Sequence, residues 1–152
     1  IKAYVAVSQR TRVSSATQVA TTAIIPLDNS LPLIGEGTEI LTTSFTPQST
    51  SNKLSVEFDG LIYNYTPTYG VILSLFEGST CVGARWWLQA ANGSGPTNVS
   101  FEFTPASATA TTYSLRVGTS DASTISVNYS STSTATLGGL QEYSMTISEI
   151  QA

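Results

Sequence analysis

Apolar and polar residues alternate with a period of two from one end of the chain to the other. In the clearest runs, Leu54-Val56-Phe58 and Val99-Phe101-Phe103, every second residue is apolar and bulky. Because successive side chains of a β-strand point to opposite faces, each such run predicts a strand with one buried face. The other predicted strands carry their apolar positions at Val5/Val7, Val19/Ala23/Ile25, Leu41/Phe45, Val71/Leu73/Leu75, Val82/Ala84/Trp86/Leu88, Tyr113/Leu115/Val117, Ile125/Val127/Tyr129 and Tyr143/Met145/Ile147.

Turn-forming residues separate these runs. They include Pro26-Leu27-Asp28-Asn29, Gly35-Glu36-Gly37, Asn92-Gly93-Ser94-Gly95-Pro96 and Gly138-Gly139. Gly, Pro, Asn and Asp favour the backbone angles of tight turns, and no segment shows a sustained helical period. About ten short strands at nearly regular spacing predict an all-β fold, an antiparallel β-sandwich or jelly roll.

Two predicted strands are apolar on both faces. Residues 71–76 read Val-Ile-Leu-Ser-Leu-Phe, and residues 85–88 read Arg-Trp-Trp-Leu. A single sandwich buries one face of each strand, so the second face needs another cover. We expect a second copy of the chain to supply it, with Ile72, Phe76, Trp86 and Trp87 in the subunit contact. The alternative is a crossover loop that folds back over the sheet.

A short pattern occurs twice. Ser44-Phe45-Thr46-Pro47-Gln48-Ser49 precedes the predicted strand at Leu54, and Glu102-Phe103-Thr104-Pro105-Ala106-Ser107 precedes the one at Tyr113. In both, a strand ends in Phe-Thr and Pro prevents further ladder hydrogen bonding. The pattern predicts two equivalent corners where the chain passes between sheets, with chance similarity in a Ser/Thr-rich chain as the alternative.

The composition of the chain limits the classes of partner that it is expected to bind. Only 11% of the residues are charged and the formal net charge is −4, which disfavours nucleic acid and anionic membranes as partners. No run approaches the ~20 apolar residues of a membrane span, so no membrane insertion is expected. The single cysteine, Cys81, excludes an intrachain disulfide. The first residue is Ile1, and we interpret the chain as a piece of a longer polypeptide, with processing of the N-terminus as the alternative.

Residues suited to catalysis or to cofactor binding are scarce. Without histidine, Ser-His-Asp and Cys-His constellations cannot form, and no phosphate-binding loop occurs. A carboxylate pair at Glu57 and Asp59 is better explained as a solvated strand end. A calcium site from Asp28, Glu36 and Glu39 is the weaker alternative to solvated loops. The sequence therefore predicts a binding protein that is not an enzyme, with no cofactor and no metal.

The loop of residues 63–69, which contains three tyrosines, is the most suggestive feature for binding. Tyrosine offers a flat apolar face with a hydrogen-bonding tip, which suits recognition of glycans or protein surfaces. We expect this loop to form a receptor-contacting rim, with packing against a neighbouring hairpin or against the oligomer axis as the alternative. The candidate receptor contacts are Tyr63, Asn64, Tyr65, Tyr69, Asn92 and Ser94.

Residues 18–58 closely resemble a C-terminal module of bacteriophage tail-fibre and related virion proteins. The resemblance is carried by Thr21-Thr22, Ile25-Pro26, Asp28, Pro32, Glu36-Gly37-Thr38-Glu39, Thr46-Pro47, Ser49 and Asn52-Lys53-Leu54. Residues 75–80, 112–118 and 138–150 are similar to later parts of that module. Residues 59–70 and 84–97 depart from it, and such variable hairpins are expected to determine the choice of partner.

The resemblance implies a tumour-necrosis-factor-like jelly-roll knob that forms a homotrimer at the distal end of a virion fibre. It divides the chain into an N-terminal strand or linker, residues 1–17, and a head domain, residues 18–152. It further implies contact with other fibre segments and attachment to a host cell-surface glycan or protein. A structural trimerisation or capping domain without a receptor, and a lectin-like carbohydrate-binding domain, are the alternatives.

Overall fold

The alternating runs form strands in the computed structural model, which describes residues 6–65, 70–89, 93–128 and 136–152, with residues 93 and 94 described by their backbone alone. Among these residues, no helix is long and apolar enough to cross a membrane. The elements are β1 (Val7–Ser15), β2 (Val19–Thr21), β3 (Thr38–Phe45), β4 (Lys53–Asn64), β5 (Gly70–Glu77), β6 (Thr80–Leu88), β7 (Gly93–Phe103), β8 (Thr111–Thr119), β9 (Ile125–Val127), a 3₁₀ segment (Thr136–Gly139) and β10 (Tyr143–Ile150).

The strands pair into two antiparallel sheets. The first sheet, sheet A, has the order β1-β10-β4-β9-β2, and β7 pairs with the other side of β4. The second, sheet B, has the order β3-β8-β5-β6. With the short strands β2 and β9 set aside, the orders β1-β10-β4-β7 and β3-β8-β5-β6 are those of a jelly roll. The predicted all-β sandwich is thereby confirmed.

The core lies between the two sheets. Leu54, Val56 and Phe58 of β4 face it from sheet A, and Leu73 and Leu75 of β5 face it from sheet B, all with 0% exposure. These are the apolar positions of the period-two runs, so alternation places one face of each strand in the core. Burial of each such side chain stabilises the fold by about 1.5–3 kcal/mol.

The segment between β2 and β3, residues 22–37, crosses the outer face of sheet B; we call it the strap. Ile25 of the strap is 0% exposed. Its backbone N–H donates to the carbonyl of Thr119 at 3.0 Å, and the N–H of Thr119 donates to the carbonyl of Ala23 at 3.1 Å. The Arg116 side chain donates to the carbonyls of Glu36 and Gly37 at 2.8 and 3.0 Å. The strap is therefore hydrogen-bonded to β8 at both of its ends.

The strap changes the interpretation of the strand that is apolar on both faces. Ile72 and Phe76 lie on the outer face of β5, yet their exposures are only 4% and 0%. They were expected in a subunit contact, and that expectation is wrong, because the chain itself covers them. Ile72 and strap residues such as Pro26 line one small depression together. The crossover loop that the sequence left as an alternative is thus present.

The repeated Phe-Thr-Pro pattern forms two equivalent corners, each closed by a buried glutamate. At the first, the Glu149 carboxylate accepts hydrogen bonds from the backbone N–H groups of Gln48 and Ser49, at 2.9 and 3.2 Å. It also accepts from the side-chain amides of Asn52, at 2.7 Å, and Gln9, at 2.6 Å. Glu149 is 0% exposed, and every one of these partners is a donor.

At the second corner, the Glu77 carboxylate accepts from the backbone N–H of Ala106 at 3.1 Å and from the Tyr113 hydroxyl at 2.8 Å. Gln48 and Ala106 each follow the proline of their corner, so the two glutamates bind equivalent backbone positions. Burial, and then the hydrogen bond to Glu77, raise the pKa of Tyr113 above its usual range. The internal repeat is therefore a shared structural device.

The N-terminal strand belongs to the sandwich. Residues 7–15, which the sequence places in a separate strand or linker, form β1 and pair with β10 from Val7↔Ile150 to Ser15↔Tyr143. Gln9 also reaches the Glu149 corner. In the described part of the chain, packing therefore marks no boundary between residues 17 and 18.

Candidate functional site

An open groove lies where the two sheets separate, between β6 and β7. It has a volume of about 540 Å³, within the range of ligand sites, and is open to solvent. β6 pairs only with β5, and β7 pairs only with β4, so both strands present an edge without a ladder partner among the described residues. The groove is lined by Arg85, Trp86, Trp87, Pro96, Thr97, Asn98, Val99 and Ser100.

A β-bulge in β6 determines which side chains enter this groove. The β5–β6 register shifts between Leu75 and Phe76, so Phe76 pairs with Cys81 but Leu75 pairs with Gly83. Val82 is the extra residue, and from it onward the side chains change faces. Gly83 accordingly faces Phe101 of sheet A, with a built Cβ only 2.4 Å from that ring.

The bulge corrects the predicted alternation of β6. The sequence groups Val82 with Ala84, Trp86 and Leu88 on one face. In the structure Val82 packs against the core, whereas Ala84, Trp86 and Leu88 are exposed. Arg85 and Trp87 instead point between the sheets, where Trp87 packs partly against the core. A sequence in which both faces are apolar gives no signal for a one-residue shift of this kind.

Trp86 and Trp87 therefore lie on opposite faces of one edge strand. Trp86 is 45% exposed, and its indole sits over Gly70, where a built Cβ would be 1.8 Å from Nε1. Only glycine leaves room for the ring there. Both residues line the groove, and Trp86 also lines the depression beside the strap. Trp86 and Trp87 were predicted to lie in a subunit contact, and that contact stays a prediction; in the structure both residues lie at an open groove.

Arg85 is held in a defined position at the groove. Its guanidinium carbon is 5.3 Å from the centroid of the Phe101 ring, a cation–π arrangement. Its Nη1 donates to the carbonyl of Ala84 at 3.0 Å, and its Nη2 donates weakly to the carbonyl of Ser100 at 3.5 Å. The side chain is exposed. Arg85 therefore presents an oriented cation to solvent at the groove.

Two of the three tyrosines of the predicted receptor rim are in contact in the structure. Tyr63 and Tyr65 pack edge to face with their centroids 4.5 Å apart, and Tyr65 is 38% exposed. By alternation along β4, Tyr63 lies on the outer face of sheet A, whereas Trp86 lies on the outer face of sheet B. Tyr63 and Trp86 therefore lie on the outer faces of different sheets.

The other predicted receptor contacts have different outcomes. Asn64 is 0% exposed and accepts a hydrogen bond from Ser123 at 3.5 Å, so it does not contribute to a receptor surface. Ser94 lies opposite Tyr63 in the β4–β7 ladder, but its side chain is not described. Tyr69 and Asn92 lie outside the described residues.

The carboxylates considered for catalysis and calcium binding are exposed on a strand or accept hydrogen bonds from neighbouring loop residues. Glu57 and Asp59 are both exposed on the outer face of sheet A. Asp28 accepts hydrogen bonds from Ser30, and Glu36 accepts one from the N–H of Leu33 at 2.8 Å. Hydrogen bonds from Ser30 lower the pKa of Asp28. Within the described ranges, no group of three or more metal-binding side chains occurs.

Comparisons with known proteins found no matching family model and no matching curated protein sequence. Among solved structures, the CBM36-1 domain of a multidomain xylanase from the hindgut metagenome of Trinervitermes trinervoides is 12% identical, with a TM-score of 0.47, over 91% of this chain and 96% of that one. The VP2 subviral particle of infectious bursal disease virus is 10% identical, with a TM-score of 0.45.

That viral match covers 96% of this chain but 38% of the viral chain, so the present chain spans less than half the length of that neighbour. The particles derived from the same virus with T=1 symmetry give a similar result, with 13% identity and a TM-score of 0.47 over 37% of their chain. All of these are distant structural neighbours. With TM-scores below 0.5, none identifies a relative, and the jelly-roll assignment rests on the strand pairing of the chain itself.

Proposed function

We propose that the chain is a non-enzymatic binding module of a virion fibre, and that it attaches to a glycan on the host cell surface through the groove between β6 and β7. The observation that carries the proposal is the placement of Trp86 and Trp87 on either side of one edge strand at an open groove. Indole faces match the apolar faces of sugar rings and bind with little loss of side-chain entropy.

The remaining lining supports a glycan over an apolar ligand. Thr97, Asn98 and Ser100 supply hydroxyl and amide groups, and the edges of β6 and β7 supply backbone donors and acceptors. Sugar hydroxyl groups require such directional partners, whereas an apolar ligand would leave them unsatisfied. Five of the eight lining residues also fall in residues 84–97, where the sequence departs from the tail-fibre module that it otherwise resembles.

We expect Trp86→Ala and Trp87→Leu each to weaken glycan binding about tenfold or more, because aromatic anchors carry most of the affinity at such sites. Leucine at position 87 keeps the apolar contact with the core and removes the flat ring. Binding would be measured on a glycan array and by adsorption of the isolated chain to host cells. The double variant Tyr63→Ala/Tyr65→Ala is the comparison, and we expect it to bind like the parent chain.

Two results would contradict this assignment. Equal binding by the tryptophan variants and the parent chain would exclude the groove, and loss of binding only in the tyrosine variant would restore the receptor rim. Shortening of a bound polysaccharide during incubation would show that the chain is an enzyme. Adsorption to host cells without binding to any glycan would indicate a protein receptor.

A structural trimerisation or capping role is the second candidate, and the strap favours it. Leu27, Leu31 and Leu33 are 57%, 69% and 65% exposed within seven residues. Several large apolar side chains exposed side by side are typical of an interaction surface, unlike single scattered ones. We propose that a second copy of the chain covers them in a homotrimer, as the tail-fibre resemblance implies, next to other fibre segments.

Sedimentation equilibrium tests the trimer. We expect the parent chain at three times its 16.0 kDa mass, and Leu31→Ser/Leu33→Ser shifted towards 16.0 kDa. Leu140→Ser changes a leucine that is 84% exposed outside the strap, and it should leave the mass unchanged. A parent chain that sediments only at 16.0 kDa would exclude self-association.

A further inference from the structure

The charge of the groove indicates which glycans it selects. Of its eight lining residues, none carries a carboxylate and one, Arg85, carries a positive charge. The whole chain has a formal net charge of −4. The lining of the groove therefore carries a single positive charge on an otherwise acidic molecule, and the exposed carboxylates of Glu57 and Asp59 lie on the neighbouring strand, opposite Ser100 and Asn98.

Arg85 has no acidic partner within the described part of the chain. The two ion pairs found there join Arg12 to Glu142 and Arg116 to Glu39. The contacts of Arg85 are the Phe101 ring and two backbone carbonyls, and one of these hydrogen bonds is long, at 3.5 Å. A guanidinium group has five N–H donors. Most of the donors of Arg85 thus remain available to a ligand.

The position of Arg85 relative to Trp87 fits one bound sugar unit. The two residues are two positions apart on the same side of β6, which separates their Cα atoms by about 7 Å. A sugar ring on the Trp87 indole would therefore carry its substituents towards the guanidinium. The Phe101 ring restricts where the guanidinium can lie, so little additional ordering is needed on binding.

We propose that the groove selects acidic sugars, and that Arg85 binds the carboxylate of a uronic or sialic acid unit. This inference rests on the proposed glycan function of the groove and adds the chemical class of the ligand. A planar guanidinium group pairs with a planar carboxylate through two parallel N–H···O bonds. Arg85 is then the specificity residue, and the tryptophans supply affinity that does not depend on charge.

The test compares sugars that differ only in the carboxylate. The probes are oligogalacturonate against its methyl ester, and sialyllactose against its sialic acid methyl ester, with a sulfated oligosaccharide as a third anion. We expect at least one carboxylate-bearing probe to bind the parent chain about tenfold more tightly than its neutral counterpart. This preference should decrease as salt increases, because screening weakens an exposed charge pair.

Variants of Arg85 distinguish the effect of its charge on binding from an effect on the stability of the fold. Arg85→Gln should reduce the ratio of the affinities for the acidic and the neutral probe to about one, whereas Arg85→Lys should retain part of the preference. Arg10→Gln changes an exposed arginine on β1 and serves as the matched control. Circular dichroism and thermal unfolding of each variant would show that the sandwich remains intact.

The outcomes distinguish the two levels of the proposal. Equal binding of acidic and neutral probes, or an unchanged preference in Arg85→Gln, would overturn the carboxylate assignment while the glycan function stands. Binding only of the sulfated probe would replace the carboxylate by a sulfate ester. Binding to no glycan, acidic or neutral, would overturn the proposed function itself.

Discussion

Replacing Glu149 by alanine is expected to lower the free energy of unfolding by about 3–5 kcal/mol. Each charge-assisted hydrogen bond that a buried carboxylate accepts contributes about 1.5–3 kcal/mol, and hydrogen bonds to water compensate for only part of the loss. The carboxylate binds donors from β1, from the corner at Gln48 and Ser49, and from Asn52. Its removal leaves several of them without a partner at once. Urea denaturation of the parent and the variant gives the difference directly.

The matched control is Glu57→Ala, which removes an exposed glutamate from the neighbouring strand β4. Its effect should stay within about 0.5 kcal/mol, as is usual for surface substitutions. If the two variants lost equal stability, the Glu149 corner would contribute no more than an ordinary surface position, and the structural role of the repeat would be refuted.

The same carboxylate makes stability depend on pH. Burial raises the pKa of Glu149, but the hydrogen bonds from Gln48, Asn52, Gln9 and Ser49 together hold it below its usual value of 4.5. A carboxyl group whose pKa is lower in the folded than in the unfolded state stabilises the fold fully at pH values above the unfolded-state pKa. This contribution is lost as the pH falls through the folded-state pKa. The parent chain should therefore lose more stability than Glu149→Gln below about pH 4.5.

The second large effect is expected at Gly118, where strap and sheet touch through their backbones. A built Cβ at Gly118 would lie 2.9 Å from the carbonyl oxygen of Ala23 and 2.8 Å from Cγ1 of Ile25. Because one of these atoms is backbone, Gly118→Ala should displace the strap and cost about 1–3 kcal/mol, the usual cost of overpacking. Ile72 beneath the strap should then become accessible to solvent.

Hydrogen exchange measures this displacement, and we expect faster exchange at the N–H groups of Ile25 and Thr119. Gly35→Ala is the control, since nothing lies within 4 Å of a Cβ built at Gly35 in the same strap. Equal protection in both variants would show that the strap does not depend on close backbone contact with β8.

The orientation and burial of the candidate site residues could not be predicted from the sequence. Trp86 and Trp87 stand out in the sequence, but their faces depend on a bulge at Val82 that no local pattern indicates. A shift of one residue exchanges the two faces of a strand, so the sequence could name both tryptophans without placing either of them. Asn64 was mistaken for a surface residue because a polar residue in an aromatic loop carries no local sign of its burial.

Sequence alone indicated most of the strands, the all-β sandwich class and the repeated corners of this protein, because period-two alternation and turn residues act over only a few neighbouring positions. Only the tertiary structure decided what covers Ile72 and Phe76, which carboxylates close the corners, and where the groove opens. Those outcomes depend on contacts between residues far apart in the chain, such as Gln48 with Glu149 and the strap with β8. Such contacts form only when the two sheets assemble, so no local stretch of sequence encodes them.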